Sequence, residues 1–504
     1  MVDLDAITIT PEVLRLIPKA MAVELSVLPL SAESDGVIVL LPENYDGQVL
    51  DDLGFLLGRK VIPSCAPREL VDSAIKKFYG ITDLELQRNT VSHAAEFLSV
   101  KEREVLPANG EGAKVDSSSG GPIVTLVNRI ISDAIRMNAS DIHVEPYEES
   151  LRIRYRLDGI LHEVLQPPVE KTKPILSRLK IMADLDIAEK RRPQDGRIRV
   201  NEGDRTIDIR VSTLPTDFGE KIVLRILDKS QLKLDLSNLG FEETDLKLFK
   251  RTLRLPYGMI LVTGPTGSGK TTTLYAALNH INKPEINITT VEDPIEYNLA
   301  GINQIHIRTE IGLTFAAALR SILRQDPNVI MVGEIRDSET AEIAIRAALT
   351  GHLVFSTLHT NDAPSAITRL IDMGVQPFLV ASSLKMILAQ RLLRKLCDCC
   401  KIPSQPTAEQ AEELHLQKSD PPAQFYSMSG CESCRHLGYN GRTAVYEVLK
   451  IHNDVSDSIA KGVSASVLRS IGQANGTLSL REAAVQKAVE GQTTLEEVIR
   501  ETAL

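Results

Sequence analysis

The chain has 504 residues, 43% hydrophobic and 25% charged, with Lys+Arg 57 against Asp+Glu 67 for a net charge of −10. That length predicts about three or four domains of ordinary globular composition. The acidic balance and the lack of Trp argue against a nucleic-acid binder, which needs excess positive charge and stacking platforms, and no run of about eighteen apolar residues predicts a membrane span.

The start, MVDLDAITIT, lacks the basic n-region of a signal peptide, which predicts a cytosolic chain. Residues 1–105 mix helical and strand signals and read as an N-terminal α/β docking module. Pro11 to Ile17 predicts a short helix that Pro18 ends or kinks, Gly36-Val-Ile-Val-Leu-Leu a buried strand, and Arg68 to Tyr79 an amphipathic helix. Cys65 reads as a core thiol. Residues 106–121, LPANGEGAKVDSSSGG, read as a flexible linker.

A second domain, 122–237, opens with a helix whose Ile123, Val127, Ile130, Ile131 and Ala134 share one face. Leu151-Arg-Ile-Arg-Tyr-Arg-Leu then alternates strictly, and Asp158-Gly159 turns it into a hairpin with Ile160 to Leu165. Arg152, Arg154 and Arg156 read as a solvated strand face. A helix through Ile175 to Leu185 precedes strands at Arg197–Val200, Thr206–Val211 and Lys221–Leu227. Arg210 and Arg225 sit inside apolar runs, so each needs an anionic partner.

The third segment, 238–395, carries MILVTGPTGSGKTTT from Met259 to Thr273. Met259 to Val262 reads as a buried strand and Thr271 to Leu278 as a helix. Between them Gly264, Pro265, Thr266, Gly267, Ser268, Gly269, Lys270 and Thr271 form the G-x-x-x-x-G-K-[ST] loop in its strand–turn–helix context. Its glycines let the backbone wrap a phosphate while the helix N-terminus points N–H groups and a positive dipole at the same anion. Lys270 reaches the terminal phosphates, and the Thr271 hydroxyl suits Mg²⁺. Ile288 to Val291 predicts a second strand ending in Glu292-Asp293-Pro294-Ile295-Glu296. A third, Val329-Ile-Met-Val, ends in Gly333-Glu334, and a fourth, Leu353-Val-Phe-Ser-Thr, is flanked by His352 and His359. Strand ends converging on one edge are the geometry of a RecA-like ATPase, with carboxylates placed to hold a water or orient Mg²⁺. Residue order alone does not divide those roles between Glu296 and Glu334. Arg320, Arg324 and Arg336 flank the third strand, either to neutralise phosphate charge or to pair with acids, and either His also suits a core position.

Cys397-Asp-Cys-Cys400 and Cys431-Glu-Ser-Cys434 form two CxxC pairs separated by residues 401–430. Four thiolates in two knuckles suit structural Zn²⁺, the alternative being free thiols or a redox pair. Cys399 should point away, since three thiols crowd one short loop. The tail is helical, and Thr494 is placed to cap its last helix ahead of Glu497.

Taken together, these motifs resemble the type II secretion ATPase and type IV pilus assembly ATPase family from about residue 122 to the end. The resemblance is carried by ASDIHVEPYEESLRIRYRLDG (139–159), EKRRPQDGRI (189–198), GPTGSGKTTTLY (264–275), TVEDPIEY (290–297), LRQDPNVIMVGEIRDSETA (323–341), TGHLVFSTLHTNDA (350–363), the paired CxxC and GYNGRTAVYEVL (438–449). It implies an α/β fold: a RecA-like P-loop ATPase core (238–395) preceded by a smaller α+β, PAS-like domain (122–237) and the N-terminal α/β docking domain (1–105), with a zinc-binding insert (396–444) and a C-terminal helical region (445–504). It implies a homo-hexamer that hydrolyses ATP between subunits using Mg²⁺, with Glu296, Glu334, Arg210, Arg225 and His359 as catalytic positions. The phosphate-loop residues together with Glu292, Asp293, Arg320 and Arg324 are expected at the nucleotide, and Cys397, Cys400, Cys431 and Cys434 at Zn²⁺. It further implies a cytoplasmic motor at the inner membrane, partnered by the cytoplasmic domains of assembly-platform proteins, acting in secretion or pilus extension and without nucleic acid. No Arg-Leu-Gly triplet, the mark of a cyclic-dinucleotide site in some assembly ATPases, occurs in 1–105. The competing expectations are a nucleic-acid motor and a nucleotide-gated scaffold.

Overall fold

The computed structural model describes residues 9–79 except 15, 18–21, 23–24, 34–35, 46–48, 51–52, 55–56 and 58, then 105–106, 122–202, 205–228, 234–416 and 423–503. It divides into two compact units, Met1–Ser230 and Gln231–Leu504. Pro18 and residues 107–121 of the expected linker lie outside the described residues.

The first unit begins with helix α1 (Pro11–Leu14) and a three-stranded sheet of β1 (Leu28–Glu33), β2 (Gly36–Pro42) and β3 (Val61–Ala66). Helix α2 (Arg68–Tyr79) buries Val71, Ala74 and Ile75, a helical stripe, in a cluster with Leu28 and Leu40. Cys65 corrects the sequence expectation: it is exposed, not a core thiol. It lies on the edge strand β3, of which only Ala66 is fully buried.

A seven-stranded sheet follows in the same unit, built from β4 (Val105–Leu106), β5 (Asp141–Pro146), β6 (Leu151–Leu157), β7 (Ile160–Leu165), β8 (Gln194–Glu202), β9 (Arg205–Thr216) and β10 (Gly219–Leu227). Its order is β4-β8-β9-β10-β5-β6-β7, with every pairing antiparallel. Helix α3 (Pro122–Arg136) buries Val127, Ile130, Ile131 and Ala134. In β6 the apolar residues are buried and the arginines half-buried, the period of two that a sheet covered on one face imposes. Tyr155 donates its hydroxyl to the Ile130 carbonyl at 2.7 Å. Helix α4 (Thr172–Met182) stops before the expected Leu185 because Asp184 takes a left-handed conformation at φ 57°. The hairpin arginines are not simply solvated: Arg152 and Arg154 pair with Glu145, and Arg156 with Asp141.

The second unit is organised on a sheet of β11 (Gly258–Thr263), β12 (Ile288–Glu292), β13 (Asn303–His306), β14 (Val329–Val332), β15 (Leu353–Leu358), β16 (Leu384–Leu396) and β19 (Tyr439–Lys450), ordered β13-β12-β14-β15-β11-β16-β19. Only the β16–β19 pairing is antiparallel. All six residues of β11 are buried. Met259 and Leu261 enter one core cluster and Ile260 and Val262 another, so the strand is apolar on both faces. Around the sheet lie α5 (Glu243–Thr252), α6 (Lys270–Ile281), α7 (Phe315–Ile322), α8 (Ser338–Leu349), α9 (Ala363–Asp372) and α10 (Pro377–Ser383). A small hairpin of β17 (Lys401–Ser404) and β18 (Phe425–Met428) with α11 (Ala408–Glu413) interrupts the chain between β16 and β19. Four helices close it: α12 (Asn453–Ala460), α13 (Ala465–Ala474), α14 (Leu480–Val489) and α15 (Leu495–Thr502). Thr494 caps α15, accepting from the Glu497 N–H at 3.1 Å.

Candidate functional site: a phosphate loop at converging strand ends

The loop 264–269 links buried β11 to α6, which begins at Lys270. Pro265, Thr266 and Gly267 form its exposed crest, whereas Ser268 and Lys270 are buried. A Cβ at Gly264 would stand 2.5 Å from the Gln390 carbonyl oxygen, and at Gly269 2.8 Å from the Gln390 side-chain nitrogen. Both glycines also hold positive φ, 147° and 87°, which a larger residue adopts only with strain; at Gly264 it would press on the backbone of β16 and at Gly269 it would displace the Gln390 side chain. The buried Ser268 hydroxyl has no hydrogen-bond partner, a donor that a phosphate oxygen would satisfy. Lys270 donates to the carbonyls of Gly264 at 2.8 Å and Pro265 at 2.9 Å. Burial pushes its ammonium down to about 8, with Arg391 adding to the effect and Glu334 opposing it. Thr271 is exposed on the first turn of α6, its hydroxyl free to meet a hydrated cation.

Two strand ends bring side chains together beside β11. Glu334 follows β14, where Arg336 pairs with it and His359, following β15, places Nε2 3.4 Å from its carboxylate. Glu334 also acts electrostatically on Lys270. His352 lies at the other end of β15, with Nδ1 3.0 Å from the Ala347 carbonyl of α8. The aspartate-box acids divide. Asp293 is exposed and Glu296 half-buried. Glu292 is buried, and its carboxylate is engaged by Tyr275, Thr290 and Gln304. Arg320 pairs with Glu339, and Arg324 donates to the Arg320 carbonyl at 3.0 Å and the Ser321 hydroxyl at 3.2 Å. Arg210 and Arg225 belong to the first unit, where Arg225 meets the carboxylate of Asp141 at 3.0 Å.

Several contacts around the loop were not signalled by any motif. Thr263, the last residue of β11, donates to the carbonyl of Leu358 at 3.0 Å and accepts from the Thr360 N–H at 3.0 Å, so it ties the phosphate loop to the segment carrying His359. Behind α6, Thr273 donates to the Gln390 side chain at 2.9 Å, with the Tyr446 hydroxyl 3.3 Å away. One signal was available: Glu447 is a lone acid in the apolar run TAVYEVL, the same mark that singled out Arg210 and Arg225.

The four cysteines of the CxxC pairs converge. Sulfur–sulfur distances are 3.8 Å for Cys397–Cys431, 3.7 Å for Cys400–Cys434 and 3.7 Å for Cys431–Cys434. A tetrahedral Zn²⁺ with bonds of about 2.3 Å needs sulfurs about 3.8 Å apart, so the set fits. The Cys434 sulfur also accepts N–H groups from Cys431 and Gly438, each at 3.2 Å, as a thiolate in a knuckle does. Cys399 is exposed, outside this cluster. Among the described residues no helix is long and apolar enough to cross a membrane.

Comparison with known proteins agrees with this geometry. The Type II/IV secretion system protein family model matches residues 116–500, and the MshEN domain model matches residues 1–84. The Type IV pilus assembly ATPase PilB of Myxococcus xanthus is 46% identical over 508 residues, covering 100% of this chain and 88% of that protein. The Type II secretion system protein E of Dickeya dadantii is 43% identical, covering 98% of both. Among solved structures, the ATPase DotB of Yersinia pseudotuberculosis aligns with 79% of this chain and 98% of its own at TM-score 0.56 and 20% identity, a likeness of fold alone. On this footing the chain belongs to the Type II/IV secretion system protein family.

Proposed function

We propose that this chain is the ATP-hydrolysing motor subunit of a type II secretion or type IV pilus assembly machine. The observation that carries the reading is the placement of the phosphate loop after β11 beside Glu334 and His359 at neighbouring strand ends. The loop's N–H groups and Lys270 hold the phosphates, and the Thr271 hydroxyl meets Mg²⁺. Held there, Mg²⁺ would supply positive charge against the phosphate oxygens. Glu334 orients a water for in-line attack: the new O–P bond forms at the γ-phosphorus, its bond to the β–γ bridging oxygen breaks, ADP and inorganic phosphate leave, and the proton lost by the water passes to solvent. Glu296 and Asp293 tune this position, His359 senses the γ-phosphate through Glu334, and Arg320, Arg324, Arg210 and Arg225 supply positive charge. Glu292 supports the strand from within, consistent with its burial.

The working form we propose is a homo-hexamer at the cytoplasmic face of the inner membrane, bound to cytoplasmic domains of platform proteins, with Zn²⁺ on Cys397, Cys400, Cys431 and Cys434. Lys270→Ala tests the reading. Its ATP turnover is expected to fall by at least about 10²-fold with the thermal midpoint moved by under about 3 °C. Near-wild-type turnover would contradict it, as would turnover that requires DNA.

A further inference from the structure

The segment between β15 and α9, residues 359–362, is fastened from three directions. Thr360 meets Thr263 below the phosphate loop. Asn361 offers its carbonyl to Arg391 of β16 at 3.1 Å. Asp362 caps α9, accepting the Ser365 N–H on one oxygen at 2.7 Å, and takes the Arg469 guanidinium on the other at 2.7 Å. Arg469 comes from α13 of the C-terminal helices, which packs on α9.

We propose that Arg469 is a positioning residue for ATP turnover: through Asp362 it ties the C-terminal helices to the segment that sets His359 against Glu334. This rests on the reading of Glu334 and His359 given above.

Three facts support it. Asp362 is 14% exposed, so the ion pair is shielded on one side and stronger than a surface pair. The two oxygens have separate tasks, so the Arg469 contact is not needed for the cap. A second carboxylate lies beside the pair: Glu447 of β19, 3% exposed, accepts the Ala363 N–H at 3.4 Å. Burial, and then the charge of Asp362, push Glu447 up to about 7, while Arg469 and Arg391 pull the other way. Arg391 in turn feels Glu501 of α15 as well as Asp362 and Glu447. Removing Arg469 leaves two neighbouring acids facing Arg391, and the like charges push on the start of α9 and the segment before it.

The test is steady-state ATP turnover by the full chain, resolved into kcat and KM. Arg469→Gln is expected to lower kcat about five- to twentyfold with KM for ATP within about threefold, because the contact orients groups rather than binding nucleotide. Arg469→Lys, which keeps one charged hydrogen bond, is expected to return kcat to within about threefold of wild type. Asp362→Asn keeps the cap but loses the charge; it should match Arg469→Gln, and the double variant should be no worse than either. Arg481→Gln is the control for general loosening, since Arg481 of α14 binds the carbonyls of Glu413 and Thr502 in the same helical region. Its kcat should not change. Wild-type kcat in Arg469→Gln, a loss confined to KM, or an equal kcat loss in Arg481→Gln overturns the proposal. If Arg469→Gln does not fold, Asp362→Asn decides, and normal kcat there overturns it. Glu334→Gln separates the two readings: if it stays active, the site assignment itself fails; if it is inactive while Arg469→Gln is normal, only this inference fails.

Discussion

Glu145 and Glu447 are both strand carboxylates nearly closed to solvent, 4% and 3% exposed, one in each of the two large sheets. Their surroundings drive them in opposite directions. Around Glu145 in β5, burial alone would raise the carboxyl, but Arg154 at 2.8 Å and Lys221 at 2.9 Å outweigh it and hold the group at about 2. Around Glu447 in β19, burial and Asp362 prevail and the group rises to about 7. Cross-strand neighbours in the antiparallel sheet of the first unit place Arg152 and Arg154 beside one acid. The parallel sheet of the second unit is apolar on both faces, so its charges gather at strand ends and along the β16–β19 edge, where an acid meets another acid as readily as a base. Low exposure alone does not set a buried charge's state; how densely the group is packed and which partners the topology delivers decide it together.

The largest expected effect breaks the second unit's edge without touching the first. β19 begins just after Cys434, and the Cys397 N–H donates to the Gly438 carbonyl at 3.0 Å. Metal on four thiolates contributes on the order of 10 kcal/mol to local folding. Chelation, or Cys434→Ser, should therefore erase hydrogen-exchange protection across β17, β18 and the start of β19 while β5 and β6 keep theirs. Unchanged protection in the cysteine hairpin would rule out a structural metal.

Next come the two acids, with opposite pH trends. Glu447 has a raised value in the fold, so its contribution is complete below about 4.5 and is lost as pH rises through about 7. Glu447→Gln should thus gain on wild type by up to about 3 kcal/mol between pH 4.5 and 8, read by denaturant titration at each pH. A pH-independent difference would contradict this. Glu145 has a depressed value, so its contribution is present above about 4.5 and is lost as pH falls toward 2. Glu145→Ala should cost about 2 kcal/mol at pH 7, the cations around it being roughly one-third exposed, with the cost shrinking in acid. A cost that grew on acidification would reverse the assignment.

The smallest stability effect belongs to Arg225, whose side chain is 59% exposed against Asp141. Arg225→Gln should shift unfolding by under about 1 kcal/mol. Its proposed service to the nucleotide predicts at least about a tenfold loss of turnover all the same. Equal, small losses in both assays would leave Arg225 a surface ion pair and no more.

How far this could be read from residues alone depends on the range of the interaction. The phosphate loop is coded within consecutive positions: strand, glycines, Lys270, helix. That Glu334 and His359 come together is legible because each follows a buried strand, and neighbouring parallel strands end on one edge of the sheet. The thiol pairs were legible because each CxxC is local, although only folding could bring Cys431 to within 3.8 Å of Cys397. What escaped is tertiary. Arg391, Asp362, Glu447 and Arg469 come from four separate elements, and no spacing joins them. The exposure of Cys65 is hidden from the sequence because a thiol among apolar residues says nothing about which face of an edge strand it takes. The hairpin arginines look solvated in the sequence because their acids, Asp141 and Glu145, lie on a different strand whose register the pattern does not reveal.

The most direct test of the account is single-turnover hydrolysis and nucleotide binding by Glu334→Gln in the full chain. The account predicts ATP affinity within about threefold of wild type and a hydrolysis rate lowered at least about 10²-fold, because the carboxylate acts on the attacking water and not on the bound phosphates. Hydrolysis within twofold of wild type, or loss of binding with the chemical step intact, would contradict it.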